Sequence, residues 1–175
     1  IRLLGLKDLS FCWGEIEECG KDPLENARQK ALAYYRICGQ PVFSQDSGLY
    51  IEGLPKERQP GVHVRRVNGV NLTDEQMRKY YKKIAAEFGG RCVAQYQNAL
   101  CLVFSENEIY EARGGALNWK KFWLMTEERP QRMEGFPLDA ICADYRTGRH
   151  FYDGEATMPE EEGDGVRDFF RNALK

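Results

Sequence analysis

The sequence predicts an α/β protein in which helices flank a mixed β-sheet, and three observations favour this class. Two segments carry start and stop signals for helices. Apolar runs of strand length alternate with these helices in the first half, and consecutive strand candidates fill the second half. The length of 175 residues and the hydrophobic fraction of 42% suit one domain with a real core. We therefore expect residues 1–175 to form a single domain.

The first part of the chain contains a strand candidate followed by a strongly marked helix. Residues 1–6, with the sequence IRLLGL, are typical of a short buried strand. Asp22-Pro23-Leu24-Glu25 then provides an N-cap, a proline for the first helical turn and the acid of a capping box. Apolar residues recur at spacings of three and four before Gly39, so the pattern predicts a helix over 23–38.

Two short strands and a long loop are predicted next. Pro41–Ser44 and Leu49–Ile51 are strand candidates, and the turn-forming residues Asp46-Ser47-Gly48 lie between them. The segment Gly53–Asn71 is rich in glycine, proline and arginine and has no periodicity, so we interpret it as a loop.

A second helix and several strands are predicted in the rest of the chain. Thr73 and Gln76 form a capping box, and Gly89-Gly90 ends the helix that follows. The closing helix is predicted over Val166–Leu174. Four strands are predicted between these helices: Cys92–Phe104, Ile109–Ala112, Ala140–Ala143 and Arg149–Tyr152.

The charge balance excludes some classes of function. Lysine and arginine number 25 against 27 aspartates and glutamates, which gives a formal net charge of -2. A chain this close to neutrality is unlike proteins that coat nucleic acids through bulk positive charge. No stretch approaches the roughly 20 apolar residues of a membrane span, and no signal peptide is visible. We expect neither a nucleic-acid polymer nor a membrane as a partner.

Six cysteines and two histidines indicate the compartment and the metal chemistry. An even number of cysteines is compatible with three disulfides in a secreted protein. The cysteines lie mostly in or beside apolar runs, however, and no CxxC pair exists, which favours reduced thiols in a cytoplasmic protein. Two histidines offer little for a zinc site.

Two acidic features are candidates for metal binding or catalysis. Glu17-Glu18 precedes the first helix, and adjacent carboxylates are hard oxygen ligands of the kind that Mg²⁺ prefers. A solvated acidic loop near a helix N-terminus explains them more simply. Asp46 follows a short strand, where a carboxylate can act as a metal ligand or general base, and Ser47 can offer its hydroxyl and N–H to a phosphate. A simple turn explains these residues equally well.

Three further residues are candidates for substrate contacts. Lys30 lies off the apolar face of the first helix and can reach a phosphate, although solvent-facing lysines are far more common. Phe136 lies in a loop with glycine and proline and can stack on a flat base, and Asp139 can accept a hydrogen bond from a base edge. A loop phenylalanine packed into the core is the commoner alternative. None of these features is decisive alone, and the common phosphate-loop, dinucleotide and hydrolase motifs are absent.

The order of these features resembles the inosine-triphosphate pyrophosphatase family of house-cleaning nucleotide hydrolases. The resemblance covers the chain from Leu3 to Asp139, and it is most specific between Glu17 and Leu49. The segments that carry it are Glu17–Gly20, Glu25–Ala31, Asp46–Leu49, Pro60–Val62 and Gly135–Asp139.

The resemblance implies both a fold and an activity. The implied fold is an elongated α/β protein with a long central mixed sheet and two lobes around a nucleotide cleft, usually found as a homodimer. The implied reaction is the hydrolysis of nucleoside triphosphates, above all those of deaminated purines such as inosine and xanthosine, to the monophosphate and pyrophosphate. The implied cofactor is Mg²⁺, for which Mn²⁺ is a possible substitute.

The resemblance also assigns roles to the catalytic candidates. By position, Glu18 and Asp46 correspond to the carboxylates that bind metal and activate water. Lys30 corresponds to a catalytic lysine that contacts phosphate. These roles agree with the chemistry, because a triphosphate must be neutralised before water can attack it.

The remaining assignments concern the substrate. The resemblance places Ser47 and Gly48 at the phosphates, Phe136 against the base and Asp139 at the edge of the base. A pocket for a 6-oxo purine needs donors and acceptors arranged against the amino group of adenine.

The chain departs from the family pattern at several positions. We expect it to lack the family's first strand and the phosphate-binding loop with Thr or Ser, Asn and Lys, so that residues 1–6 correspond to the second strand. Gln45 replaces the first acid of an Asp-Asp-Ser-Gly motif, and Pro137-Leu138 replaces Gly-Tyr. Val64 replaces a serine, while Arg66 matches the arginine that follows. A lysine and a Ser-His-Arg run near the C-terminus of the family have no counterpart here.

These observations leave three functional hypotheses. The first is a Mg²⁺-dependent nucleoside triphosphate pyrophosphatase with altered substrate preference. The alternative is a catalytically impaired nucleotide-binding relative with altered or no substrate, which the missing basic residues favour. The third is an α/β domain whose motifs are a relic of the fold.

Overall fold

The computed structural model describes residues 2–9, 14, 16, 18–153 and 164–175. The described residues form three α-helices and seven β-strands. The helices are α1 (Pro23–Cys38), α2 (Asp74–Glu87) and α3 (Asp164–Ala173). The strands are β1 (Val42–Ile51), β2 (Arg66–Val67), β3 (Val70–Asn71), β4 (Arg91–Ser105), β5 (Glu108–Arg113), β6 (Phe122–Met125) and β7 (Cys142–Asp144).

Strand β4 is the centre of a five-stranded sheet. Along one edge it pairs with the whole of β1, and along the other edge it pairs with β5 and β6. Strand β7 extends the sheet beyond β6, while β2 and β3 form a separate hairpin. The predicted α/β class, with helices flanking a central sheet, is confirmed.

Every pairing between the described strands is antiparallel, whereas the sequence indicated a mixed sheet. The connection through α2 explains why the longest pairing, between β1 and β4, is antiparallel. The chain leaves β1 at Ile51, and α2 returns it to the same end of the sheet, where Ile51 pairs with Ala94. Strand β4 therefore runs back along β1 in the opposite direction.

The ends of the first two helices are those that the sequence predicts. The Asp22 carboxylate accepts hydrogen bonds from two backbone N–H groups of the first turn of α1, at 2.9 and 3.0 Å. Gly39 follows the helix with φ of 61°, a left-handed conformation that suits glycine. Thr73 and Gln76 form the reciprocal capping box at the start of α2.

Two predicted strands are wrong. Within the expected strand at 1–6, residues 2–5 are irregular and exposed, and Leu6–Asp8 forms a short 3-10 turn. A strand needs a neighbour for its backbone hydrogen bonds, and none of the described strands pairs with this segment. In the segment 149–152, only His150 makes a bridge to the sheet, and Phe151–Asp153 again forms a 3-10 turn.

The two short strands predicted around Asp46 form one continuous strand, β1. Asp46-Ser47-Gly48, expected as a turn or a strand end, lies in the middle of β1 opposite residues 97–99 of β4. Pairing over all ten residues of β1 outweighs the turn preference of these three residue types. The strand thus fixes Asp46 on a rigid element.

The two faces of the sheet carry different cores. On one face, two alanines of α1 pack against Cys101 of β4. On the other face, a large cluster that includes Leu49 and residues of α2 covers one end of β4, and a cluster that includes Leu100 and residues of α3 covers the other end. Because side chains alternate along a strand, Asp46 lies on the α1 face and Ser47 on the opposite face.

The cysteines behave largely as the sequence predicts. Cys92, Cys101 and Cys142 are buried, and the five cysteines in the described residues are free thiols. Burial raises the pKa of Cys92 and Cys101 to about 11, which keeps both thiols protonated at neutral pH. In the described part of the chain, no helix is both long and apolar enough to cross a membrane.

Candidate active site

Three charged side chains meet where the loop before α1, the helix itself and β1 come together. The ammonium of Lys30 lies 3.0 Å from Oε1 of Glu18 and 2.9 Å from Oδ1 of Asp46. The Asp46 side chain is only 13% exposed, whereas that of Glu18 is 41% exposed. The structure therefore brings together the three residues that the family resemblance assigns to catalysis.

The position of Lys30 follows from the packing of α1. Asn26 and Lys30 are four residues apart, so they project from the same side of the helix. Ala27 and Ala31, directly beside them, are fully buried against β4. Such small side chains let the helix approach the sheet closely, and Lys30 then reaches Asp46 on the neighbouring strand β1.

Asn26 links the loop that carries Glu18 to the strand that carries Asp46. Its side chain is buried, its Nδ2 donates to Oδ2 of Asp46 at 3.2 Å, and its Oδ1 accepts from the backbone N–H of Gly20 at 2.9 Å. A Cβ on Gly20 would lie 2.5 Å from that same Oδ1, so only glycine fits this approach. Asn26 and Gly20 together hold Glu18 near Asp46.

The charge of Lys30 is secured by its two acidic partners. Burial alone would lower the pKa of Lys30, but hydrogen bonds and charge interactions with Asp46 and Glu18 raise it above its ordinary value. The lysine therefore stays protonated at neutral pH. It can neutralise part of the negative charge of the carboxylates or of a phosphate.

Ser47 faces away from the three charged residues. Its hydroxyl donates to Oδ1 of Asn98 at 2.7 Å, and Nδ2 of Asn98 donates to the carbonyl of Leu117 at 2.7 Å. The backbone N–H of Leu49 bonds to Gly61 on the outer edge of β1, at 2.9 Å. The N–H of Ser47 points to the same edge, because alternate N–H groups of a strand point the same way. If Ser47 contacts a phosphate as predicted, it would do so through this N–H rather than through the hydroxyl.

Gly48 allows a loop to approach the edge of β1. A Cβ on Gly48 would lie 3.1 Å from the carbonyl carbon of Gly61 and 3.2 Å from its oxygen. These distances are tighter than ordinary van der Waals contacts, and the loop after Pro60 would have to move. The observed role of Gly48 is thus structural, and its contact with phosphate stays a prediction.

The segment predicted to hold the base lies on the Ser47 face of the sheet. Leu138 is buried in the core beside α2, and the neighbouring Phe136 is 51% exposed, which contradicts a phenylalanine packed in the core. Burial raises the pKa of Asp139, whose side chain has no hydrogen-bond partner among the described residues. The structure therefore separates this segment from Asp46 by the thickness of the sheet.

A cleft of about 210 Å³ is lined by Glu18, one of the three charged residues, and by Asn26. It runs between the start of α1 and the hairpin of β2 and β3. Its lining residues are Glu18, Asn26, Val62, His63, Arg65, Arg66 and Asn71. A larger cleft of about 390 Å³ lies between β5 and α3, and it contains none of the predicted site residues.

The two carboxylates are suited to a metal ion that takes its other ligands from outside the protein. In the described residues, no group of three or more His, Cys, Asp and Glu side chains is placed to hold a metal alone. Mg²⁺ commonly binds one or two carboxylates, several waters and the substrate phosphates. Glu18 and Asp46 already surround one positive charge, the Lys30 ammonium, at 3.0 and 2.9 Å. They therefore supply a donor set of the kind that Mg²⁺ needs from a protein.

Two parts of this arrangement were not predicted from the sequence. Asn26 lies inside the motif, and its spacing from Lys30 is the signal that places both on one side of the helix. The hairpin in the segment 53–71 carries a recognisable Asn68-Gly69 turn, with φ of 49° and 79°. This turn is the signal that predicts an ordered basic wall there, made of His63, Arg65 and Arg66.

Comparison with known proteins identifies the family. A model of the Ham1 family matches residues 1–118. The chain belongs to the Ham1 family. This match confirms the resemblance carried by the motifs.

Two curated relatives show how far the similarity of this Ham1 chain extends. It is 33% identical over 111 residues to the dITP/XTP pyrophosphatase of Malacoplasma penetrans, over 62% of the chain and 54% of that protein. It is 32% identical over 130 residues to the dITP/XTP pyrophosphatase of Prochlorococcus marinus strain NATL1A, over 73% of the chain and 59% of that protein. The chain thus spans about half the length of the curated relatives it matches.

A solved structure has the same fold. The HAM1 protein of Coxiella burnetii superposes with a TM-score of 0.67 at 24% identity, over 97% of this Ham1 chain and 87% of that one. At this identity the likeness establishes the fold. It agrees with the α/β architecture that the sequence predicts.

Proposed function

We propose that this chain hydrolyses nucleoside triphosphates to the monophosphate and pyrophosphate with the help of Mg²⁺. The observation that carries the proposal is the meeting of Glu18 and Asp46 at the Lys30 ammonium, beside a cleft whose far wall bears two arginines. Relatives named dITP/XTP pyrophosphatase support deaminated purine nucleotides as the substrates.

The carboxylates have two tasks in this proposal. Glu18 and Asp46 bind the ion and orient a water molecule toward the phosphorus that is attacked. Bound Mg²⁺, or Mn²⁺ in its place, supplies neutralisation of the phosphate charge. Asn26 holds Oδ2 of Asp46 through its amide, so that the carboxylate keeps one orientation while the water reacts.

Lys30 completes the proposed catalytic group. With an ion bound by the two carboxylates, Lys30 would give up one of its two ion pairs. It can then donate to a phosphate oxygen while it stays bonded to the other carboxylate. A point charge on a flexible stem suits this exchange.

The remaining predicted residues recognise the substrate. The backbone N–H of Ser47 and the close approach allowed by Gly48 place phosphates at the outer edge of β1. Phe136 offers an exposed ring for stacking on the base, and Asp139 offers an unpaired carboxyl for the edge of the base. The Asp139 carboxylate can accept a hydrogen bond from an N–H group at the edge of the base, which suits the ring N–H that a 6-oxo purine carries.

Turnover on a panel of nucleotides tests the proposal. The full-length protein is incubated with common and deaminated nucleoside triphosphates in Mg²⁺ or Mn²⁺, and pyrophosphate is converted to phosphate for detection. We expect release of pyrophosphate, fastest for the triphosphates of inosine and xanthosine. Absence of turnover on every nucleotide with both ions would sink the proposal.

A nucleotide-binding relative with impaired catalysis is the second candidate. It is favoured by the small number of acidic ligands, since Glu18 and Asp46 are the two carboxylates at the described site and Gln45 stands where the family has another acid. A thermal-shift assay beside the turnover assay separates the two candidates. A binder without catalysis is stabilised by nucleotide and releases no pyrophosphate.

Three wider features complete the proposal. Residues 1–175 act as one pyrophosphatase-like domain, the protein forms a homodimer, and it works in the cytoplasm. The family resemblance supports the first two features, and the free thiols support the third. Light scattering coupled to size exclusion tests the dimer, because a mass equal to one chain contradicts it.

A further inference from the structure

The basic wall of the 210 Å³ cleft contains two arginines whose guanidinium groups have different partners. Arg65 lies 2.7 Å from Oδ1 of Asp74 and donates to the carbonyl of Leu72 at 3.1 Å. Arg66 donates to Nδ1 of His63 at 2.9 Å. Among the described residues, no carboxylate lies within ion-pair distance of Arg66. No described carboxylate therefore neutralises its charge by direct contact.

The backbone around Arg66 is held in place by the core. Tyr81, which is fully buried, donates from its hydroxyl to the carbonyl of Val64 at 2.9 Å. The backbone N–H of Leu72 donates to the carbonyl of Arg65 at 2.8 Å, and the hairpin pairs Arg66 with Asn71. The backbone of Arg66 is thus held in place, so that only its side-chain torsions need to be ordered when a ligand binds.

The opposite wall decides what kind of ligand fits. Glu18 repels a free anion from the cleft, while Arg66 repels a free cation. A polyphosphate bound to a divalent ion is complementary to both walls. Its ion would interact with the Glu18 carboxylate, and its phosphate oxygens would interact with the Arg66 guanidinium. Arginine is well suited to this contact, since its planar fork matches the oxygens of a phosphate.

We infer that Arg66, flanked by His63, binds the phosphate chain of the metal-bound substrate across the cleft from Glu18. This role rests on the proposed function, because it assigns a further binding residue to the same site. Arg66 supplies positive charge from the hairpin side, where the resemblance to the family predicts no phosphate contact. It acts as a binding residue, and the water-activating groups stay on the α1 side.

Calorimetric titration of purified variants tests the inference. The probes are a non-hydrolysable imido analogue of inosine triphosphate, inosine monophosphate and inorganic tripolyphosphate, each with Mg²⁺. The variant Arg66→Gln removes the charge. The variant Arg66→Lys keeps the charge but lacks the planar guanidinium that can donate two parallel hydrogen bonds. The matched control is Arg58→Gln, which removes one charge from an exposed arginine paired with Glu87, outside the cleft.

We expect Arg66→Gln to weaken binding of the triphosphate analogue and of tripolyphosphate about 10- to 100-fold, the range of a charge-assisted hydrogen bond. Arg66→Lys should recover part of the loss, and Arg58→Gln should match the wild type. Arg66 is exposed, so both substitutions should leave the circular dichroism spectrum unchanged.

Each other result overturns the inference. One is equal binding by Arg66→Gln and Arg58→Gln. A second is a loss confined to the nucleotide analogue, which would place Arg66 at the base or sugar. A third is a wild type that binds neither triphosphate probe. Failure of the proposed function looks different: binding depends on Arg66, yet the wild type releases no pyrophosphate from any nucleotide.

Discussion

The charged cluster of Glu18, Lys30 and Asp46 and the segment predicted to bind the base are built in opposite ways. Glu18, Lys30 and Asp46 compensate one another, and they sit at the ends of short hydrogen bonds on or beside a helix and a strand. Phe136 and Asp139 sit on a loop and a 3-10 turn, one exposed and the other with an unpaired, half-buried carboxyl. The charged groups of the first region are paired with one another, whereas Phe136 and Asp139 in the second region lack such partners among the described residues.

Removing the Asp46 carboxylate should have the largest effect and tests the first half of this comparison. We expect Asp46→Asn to lower the turnover number about 10²- to 10⁴-fold, because the amide cannot orient and deprotonate water. The free energy of unfolding should fall by about 1–2 kcal/mol, since Lys30 loses one buried charged partner and keeps Glu18. Initial rates and urea denaturation measure the two effects.

A matched carboxylate controls for the change of charge. Asp168 is exposed, paired with Arg171 on α3 and absent from the candidate site. Asp168→Asn should keep the wild-type turnover number. Equal rates for Asp46→Asn and the wild type would remove Asp46 from the catalytic group.

Gly20→Ala should have the next largest effect, because it moves a catalytic group without removing it. The new Cβ would lie 2.5 Å from Oδ1 of Asn26, so the loop that carries Glu18 must shift. A displacement of about 1 Å at a catalytic group can cost roughly 100-fold in rate. Steady-state kinetics should therefore show a large fall in the turnover number, with a modest change in the melting temperature.

A second glycine separates this steric effect from a general cost of alanine. A Cβ on Gly5 would lie 3.4 Å from Oδ2 of Asp8, which is an ordinary van der Waals distance, and Gly5 is outside the candidate site. Gly5→Ala should therefore behave as the wild type. If Gly20→Ala does so too, the rigid link through Asn26 is not needed for catalysis.

Asp139→Asn probes the second region and should act on selectivity rather than on the chemical step. We expect the preference for inosine over adenosine triphosphate to fall about 10-fold, because an amide replaces the carboxylate that is proposed to contact the edge of the base. The ratio of kcat/KM for the two nucleotides measures it. An unchanged ratio would place the base elsewhere.

The same variant should alter the pH dependence of stability in a defined direction. Burial raises the pKa of Asp139, so the folded protein binds this proton more tightly than the unfolded chain. The resulting stability is present below the ordinary aspartate pKa and is lost as pH rises through the higher folded value. Asp139→Asn should therefore melt above the wild type at neutral pH, and the difference should vanish in acid. A lower melting temperature of the variant at neutral pH would contradict the idea that burial disfavours the ionised carboxylate of Asp139.

The smallest effect is expected at Glu128, which anchors the segment leading to Phe136. Its carboxylate meets Arg78, Lys82 and Arg132 at 2.9, 3.0 and 2.7 Å. Because the group is partly exposed, we expect Glu128→Gln to cost about 1 kcal/mol of unfolding free energy. It should also raise the KM for nucleotide slightly without changing the turnover number.

A neighbouring acid on α2 is the control for Glu128. Glu75 makes an exposed ion pair with Lys79, and such pairs contribute little to stability. Glu75→Gln should leave both the melting temperature and KM unchanged. A turnover number that falls in Glu128→Gln would show that the anchor serves the chemistry as well.

The sequence predicted those parts of the site that depend on local signals. The cap at Asp22 and the stop at Gly39 define α1, and the order of the motifs identifies Glu18, Lys30 and Asp46. The signals at the helix ends are legible because hydrogen bonds between near neighbours determine them, whereas the three charged residues were assigned through the resemblance to the family. The buried cysteines were predictable for a similar reason, since apolar runs surround them.

The parts that could not be predicted depend on distant pairing. Asp46-Ser47-Gly48 has the composition of a turn, and only the pairing with β4 makes it strand. Strand β6 is four residues long, too short for a periodic signal, and it forms because β4 offers its free edge. In the same way, no local pattern places the hairpin arginines opposite Glu18.

The length of β4 has a consequence for the order in which the protein folds. Asp46 is held opposite Ala99, so its strand has no partner until the ribosome has released the residues of β4. A nascent chain that ends before Arg91 can form α1, but it cannot fix the carboxylate beside the helix. The proposed catalytic group is therefore assembled late, and closure of such distant contacts should slow folding relative to a helical protein of equal size.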